Sequence, residues 1–383
     1  MKKKYYLVLF ILWTIYSGIS YSQNVKVSDY IVPISRASQL RLNGNWNYSQ
    51  SGDSVTSSVA TSSLDYHTFY SSLPLAWFIN LVASASRSRG DISINQDVKF
   101  DARFQKYVWE NNNWFGFAKF NAQSNTNYLQ VASDITVGAG YGRYINATSL
   151  AKAVRIESHF IQEDVITDFL PKEVILKIAD IIERETEYQT LYGTTYETIW
   201  FRDIEREIQA SDMCKDDGIG SIGIMRMRQV LLKINEFVND RYYGWDINCG
   251  ILFPLTTYNK AQVGNMNLAL TGRYSIPVSW STQFNTTIDF STPMDSMLFK
   301  EIQSQVGVDF IYELNNRVNL VSRYRFGLIK QNESLPASSN YLDFTFLYYI
   351  ENNINFTINS TFSKVSNKPR QITSTMGLQY NFY

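Results

Sequence analysis

The feature that most constrains this chain is an alternation of period two that returns along most of its length. In Gln39-Leu40-Arg41-Leu42-Asn43-Gly44-Asn45-Trp46-Asn47-Tyr48 every odd position is polar, and every even position except Gly44 is apolar or aromatic. Successive side chains of a strand point to opposite faces, so such a segment has one apolar and one polar side. The same pattern places Leu75, Trp77, Ile79, Leu81 and Ala83 on one face, and Val98, Phe100, Ala102 and Phe104 opposite Lys99, Asp101, Arg103 and Gln105. Toward the C-terminus it returns in Val306, Val308, Phe310 and Tyr312, and in Leu342, Phe344, Phe346 and Tyr348. The segments lie near residues 39–49, 55–69, 74–87, 97–109, 113–123, 128–141, 241–254, 263–274, 279–290, 300–312, 316–330, 340–350, 354–364 and 371–382, which makes fourteen strands.

Composition narrows what such strands can build. After the first 25 residues there is no run of about 18 apolar residues, which excludes a bundle of membrane-spanning helices. Two cysteines, Cys214 and Cys249, exclude a disulfide scaffold, and equal numbers of basic and acidic residues (35 and 35) leave the whole chain without the charge of a nucleic-acid binder. A water-soluble sandwich also alternates, but it would load its solvent face with charge. Here only 18% of residues are charged and 15% are aromatic. The polar face is mostly Asn, Gln, Ser and Thr, and the apolar face carries aromatics near both strand ends. The expected fold is an all-β transmembrane up-and-down barrel, whose even strand number leaves both chain ends on one side. Its tight turns (Glu110–Asn113, Glu313–Asn316, Glu351–Asn353) alternate with longer loops at 291–299, 331–339 and 364–370.

The N-terminus agrees with an exported chain. Lys2-Lys3-Lys4 precede the apolar run Tyr5–Ile19, and Ser20-Tyr21-Ser22 supply small residues for cleavage before Gln23; an uncleaved anchor is the alternative. Residues 1–22 are thus expected to be a signal peptide and 23–38 a periplasmic N-terminal segment, able to fold inward as a constriction. Residues 39–141 carry strands one to six and 241–383 strands seven to fourteen.

Between them the period changes from two to that of a helix. Helices are expected over 147–162, 171–186, 196–210 and 222–239, with Gly142-Arg143 and Gly218–Gly223 as breakers, so residues 142–240 form a helical insert. Residues 147–240 hold 11 Lys+Arg against 18 Asp+Glu, a net charge of −7. With the N-terminus in the periplasm, strand six descends and the insert is periplasmic.

The last strand carries a resemblance. Thr375-Met376-Gly377-Leu378-Gln379-Tyr380-Asn381-Phe382 reads polar, any, Gly, any, any, aromatic, any, aromatic, with Tyr383 as a small departure. It resembles the C-terminal signal of Gram-negative outer-membrane β-barrel proteins, in which residues at the positions of Thr375, Gly377, Tyr380 and Phe382 are read by the barrel-assembly machinery. The resemblance implies a porin-like fold in outer-membrane lipid far more than it implies an activity.

Strand parity nominates the polar lining. Arg41, Lys99, Asp101, Arg103, Lys119, Asp134, Asp246, Arg273, Asp289, Asp309, Arg323, Arg325 and Asp343 are expected to face the lumen. Both signs are mixed, so strong ion selectivity is not expected, and a structural network of lumen salt bridges fits as well as a conduit lining. Enzymatic chemistry finds little support. The only histidines are His67, which shares a strand face with Asp65, and His159, which shares a helix face with Glu163 and reads as solvated. Asp212–Gly218 lacks the ligand spacing of a calcium loop. Cys249 falls on the lipid face and Cys214 in the insert, so no disulfide is expected. Neither metal nor other cofactor is expected. The expectation is a passive channel for small hydrophilic solutes, narrowed or gated by the helices. The alternative is a non-conducting anchor whose acidic helices bind a periplasmic or envelope partner.

Overall fold

The computed structural model of the chain describes residues 25–380 apart from 91–93, 110–111, 235, 237, 296–297, 332–333 and 352–353. The expected signal peptide and Phe382 lie outside the described residues.

Fourteen strands form one antiparallel sheet in which each strand pairs with its neighbours in sequence. They are β1 Ser35–Ser51, β2 Ser54–Ser71, β3 Leu75–Ser88, β4 Asn95–Tyr107, β5 Trp114–Asn125, β6 Ala132–Asn146 and β7 Tyr242–Thr256. The remaining seven are β8 Asn267–Ser279, β9 Thr282–Pro293, β10 Ile302–Asn315, β11 Val318–Lys330, β12 Ala337–Glu351, β13 Ile354–Val365 and β14 Gln371–Tyr380. The strand number and up-and-down order match the alternation read from the sequence. Strand β6 runs through Gly142 and Arg143 to Asn146, past the breaker expected there. Gly142 (φ +117°) stays in the ladder opposite Asp246.

The registers are strongly skewed. Following Cα partners across the sheet from Ser35 leads through Ser71, Ala76, Gln105, Phe117, Gly138, Gly250, Ala269, Ser291, Gln303 and Ile329 to Ala337. Ser35 begins β1 and Ala337 begins β12, and because odd and even strands run in opposite directions these residues lie at opposite ends of the sheet. A line perpendicular to the strands therefore crosses the full strand length within eleven pairings.

On the wall formed by β5, β6 and β7, the polar face is built from aromatics laid over glycines. A Cβ at Gly138 would come within 2.7 Å of the Phe117 ring and 2.6 Å of the Gly250 Cα. One at Gly140 would strike the Phe115 ring and sit 2.7 Å from Asn248 Oδ1. Phe115 is only 2% exposed because these glycines leave room for its ring.

Five helices separate β6 from β7: α1 Thr148–Gln162, α2 Lys172–Glu183, α3 Glu185–Tyr192, α4 Tyr196–Gln209 and α5 Gly220–Leu231. Their buried positions follow helical spacing. Ile175, Ile178, Ala179 and Ile182 of α2 face Trp200, Ile204 and Ile208 of α4, and the Trp200 indole N–H donates to the Ile181 carbonyl at 2.9 Å. The N-terminal segment joins this core. Val25, Val27 and Tyr30 are buried in it, and the Tyr243 hydroxyl donates to the Tyr30 carbonyl at 2.5 Å. Of the described part of the expected N-terminal segment, Val25, Val27 and Tyr30 pack on the helices, Ile31 and Ile34 stay exposed, and β1 begins at Ser35. The expected helix 222–239 starts earlier, at Gly220, and ends at Leu231, and Lys233 takes a left-handed conformation (φ +57°).

Gly140→Ala should destabilise the sheet by about 1–3 kcal/mol, because its methyl must displace the Phe115 ring. A lowered urea midpoint with an unchanged far-ultraviolet spectrum checks this.

Candidate functional site

Two features stand out: the polar face of the sheet, and the buried seam that fastens the helices to one end of it. The registers put all thirteen residues nominated by parity on a single face. Asp309 pairs with Arg323 and Arg323 with Asp343, Arg103 pairs with Lys119, and Asp246 with Arg273. Their environments divide them. Arg273 is held by Asp246, its Nε donating to Oδ1 at 2.9 Å, while its guanidinium stacks 4.4 Å from the Tyr144 ring centroid. Asp246 is 2% exposed, so this pair belongs to the packed wall.

On β2, β3 and β4 a row of polar groups runs from strand to strand. His67 Nδ1 meets Asn80 Oδ1, and Asn80 Nδ2 donates to both Asp101 oxygens at 3.1 and 3.0 Å. Asn121 donates to Asp134 at 2.7 Å and Thr361 to Asp343 at 2.7 Å. Lys99 and Arg103 touch only carboxylates on their own strand, Asp97 at 3.3 Å and Asp101 at 3.8 Å, and their side chains remain 60% and 64% exposed. Pairs so open contribute little to stability. Asp65 lies opposite Arg41, and His67 bonds Asn80 rather than Asp65.

The opposite face carries the apolar set, and it is bare. Val137, Trp245, Ile247, Leu270, Tyr274, Ile288, Phe344 and Phe362 are all exposed. Trp114, Tyr141 and Trp245 stack at one end with centroids 5.0 and 5.7 Å apart, and Trp46 and Tyr48 sit near the other. At the two edges Leu42, Trp46, Ile372, Met376 and Leu378 are the most open. Thr375, Gly377 and Tyr380 of the C-terminal signal belong to the edge strand β14.

The seam centres on Glu313 at the end of β10. Its carboxylate is 2% exposed and accepts from Arg155 Nη2, Arg241 Nη2 (2.8 Å), the Asn239 backbone N–H (3.2 Å) and Asn239 Nδ2 (2.7 Å). Arg241 is fully buried and also donates to the Trp280 carbonyl at the β8–β9 turn. Arg155 reaches Glu236 at 2.9 Å and Asn316 at 2.8 Å, and Glu236 bonds His159 Nε2 at 2.7 Å. His159 is therefore not on a solvated helix face. It is 4% exposed, because this side of α1 packs on the β10–β11 turn rather than on water. Burial raises the Glu236 carboxyl, but the bond and charge of His159, and then Arg155, outweigh it and leave Glu236 below its ordinary value. On the far side α3 touches β1. The helices thus span one end of the sheet, from β1 to the β8–β9 and β10–β11 turns.

None of Glu313, Arg155, Glu236, Asn239 or Arg241 was singled out by the sequence. The one available signal was that Glu313 continues the polar parity of Gln305 and Asp309 into a turn. Cys214 and Cys249 are both free. Among the described residues no three His, Cys, Asp or Glu side chains are grouped to hold a metal ion, and no helix is long and apolar enough to cross a membrane. No family model matches the chain, and no curated protein matches it either.

Two outcomes are expected. Glu313→Gln leaves Arg241 buried without a counter-charge and Arg155 with Glu236 alone, so docking of the helices should weaken by roughly 3–5 kcal/mol while the sheet persists. Hydrogen exchange resolved to 147–240 measures it. Glu157 of α1 is 3% exposed and its carboxyl is raised to about 7; burial is the main cause, opposed by the Leu170 N–H and assisted by Asp168. A carboxyl raised in the folded state contributes stability that is full below its unfolded value near 4.5 and is lost as pH rises through about 7. Helix stability should therefore fall between pH 5 and 8 by up to about 3 kcal/mol, and Glu157→Gln should remove that part of the slope.

Proposed function

We propose that the sheet closes into a fourteen-strand barrel in a Gram-negative outer membrane and that it passes small hydrophilic solutes, its periplasmic mouth covered by the helices. The observation that carries this reading is the division of the two faces, with large apolar side chains bare on one and polar groups, Lys99 and Arg103 among them, open to water on the other. In water each exposed Trp, Leu or Phe forgoes roughly 1.5–3 kcal/mol of burial, a cost that lipid removes. Soluble proteins do not bare an apolar surface this extensive.

Closure is supported by the skew. Eleven pairings cover about 53 Å across the strands while the line climbs about 50 Å along them, which corresponds to a strand tilt of about 40°, inside the range of closed barrels. The edges β1 and β14 both carry apolar residues on the outward parity, and pairing them satisfies the two rows of free backbone groups that lipid would penalise. The aromatics at the two strand ends fit headgroup depth. With the N-terminus periplasmic, the helices and the N-terminal segment fastened to them lie on that side. Thr375, Gly377, Tyr380 and Phe382 support entry through the barrel-assembly machinery, and the residues before Gln23 support export.

Conductance tests the reading. Ile145 pairs with Tyr243 and Asn146 with Tyr242, so β6 and β7 already form a hairpin that a two-residue Asn-Gly turn can close without 147–241. The complete chain in planar bilayers should show small, weakly ion-selective steps, and the shortened chain should show severalfold larger ones. Silent bilayers from both forms would remove the channel and favour the anchor whose acidic helices bind an envelope partner.

A further inference from the structure

The seam between helices and sheet encloses a cavity of about 200 Å³, lined by His159 and Gln162 of α1, Arg226 and Gln229 of α5, Glu236, and Asn316 and Arg317 of the β10–β11 turn. That volume holds several waters or a small organic anion. Its polar groups are unevenly satisfied. Arg226 bonds Glu163 through Nη2 and Gln229 Oε1 through Nη1 at 2.9 Å, yet its Nε–H is buried with no hydrogen-bond partner among the described residues. A buried unpaired guanidinium N–H is costly and marks a place where an acceptor belongs.

The charges around the cavity point the same way. The carboxylates facing it or standing behind it are already engaged: Glu163 by Arg226, Glu236 by Arg155 and His159, and Glu313 by Arg155 and Arg241. Four arginines (155, 226, 241 and 317) stand against three glutamates (163, 236 and 313), which leaves one positive charge with His159 neutral and two with it protonated. The surplus comes from Arg241 and Arg317 against Glu313, outside residues 147–240, whose own charge is −7 from 11 Lys+Arg and 18 Asp+Glu. The amides of Gln162, Gln229 and Asn316 add neutral donors around the rim.

We propose that this cavity is a binding site for a small oxyanion, a carboxylate or phosphate, held by the guanidinium groups of Arg226 and Arg317, both of which line it. A bound oxyanion joins α5 to the β10–β11 turn and so ties the helices to the sheet at a second point beside Glu313. The inference stands whether or not the barrel conducts, because it concerns the seam alone.

The test is titration calorimetry on the full chain in detergent, with inorganic phosphate and succinate as probes and sodium chloride at equal ionic strength as the control. Saturable binding of one equivalent of either probe is expected, and the better probe tells whether phosphate or carboxylate is preferred. Arg226→Gln should weaken it by about tenfold or more, the scale of one charge-assisted hydrogen bond. Arg317→Gln alters an exposed turn residue and should also weaken binding while leaving the fold intact, so it reports even if Arg226→Gln fails to fold. No saturable heat beyond that of chloride from either probe, or unchanged binding in Arg317→Gln together with unchanged binding in a folded Arg226→Gln, overturns the proposal.

Discussion

The structure depends on one ribbon that must face two different media. Each strand satisfies its backbone through its neighbours, and the pleat then sorts side chains with no freedom left: shifting any register by one residue would exchange the two faces of that strand. The thirteen pairings hold a common parity from Arg41 to Asp343, so the sorting is cooperative across the whole sheet. Among the described residues β1 and β14 stand at the two ends of the strand order, and they carry some of the most exposed apolar residues.

Attachment of the helices follows a different logic. An apolar seam would hold more tightly, but apolar surfaces slide. A buried carboxylate that accepts from two arginines and an asparagine fits one arrangement, since moving it strands charges that cannot be rehydrated. Glu313 thereby fixes where α1 and the segment before β7 sit relative to β10. Tyr30 and Tyr243 do the same for the N-terminal segment, through one hydroxyl donated to one carbonyl. The helical core itself is ordinary, with Trp200, Phe160 and the isoleucines of α2 and α4 packed at helical spacing.

What was legible in the sequence follows from this contrast. Period two is a local signal, readable from neighbours two apart, so the fourteen strands and the shared face of Lys99, Asp246 and Arg323 could be read without tertiary information. The helices were legible for the same reason, except that α3 was not expected as a separate helix and that the last pattern ran past Leu231, where a left-handed Lys233 follows. The seam was not legible. Glu313 lies in a segment that reads as a turn, Arg155 and His159 lie on a polar helix face, and nothing local distinguishes a polar face bound for water from one bound for another element. The solvated face read for His159 fails for that reason: Glu163 turns to Arg226, while His159 finds Glu236, 77 residues away.

The polar face is also lopsided, and this bears on what the helices cover. Along β5, β6 and β7, Phe115 and Phe117 lie over glycines, Tyr107 of β4 packs on Phe115, and Asp246 and Arg273 are locked together, so that wall is filled. Along β3 and β4 the charges stand open. In a closed barrel the free space therefore runs off-centre, beside β1 to β4, and α3 touches β1 on that side. A solute leaving the open wall meets the acidic helices before it meets bulk water. Its wall charges balance locally, Lys99 against Asp97 and Arg103 against Asp101, so the uncompensated field at that end comes from the helices. If the closed barrel conducts as proposed, the helices more than the lining would give it a weak bias toward cations, over a distance that salt shortens.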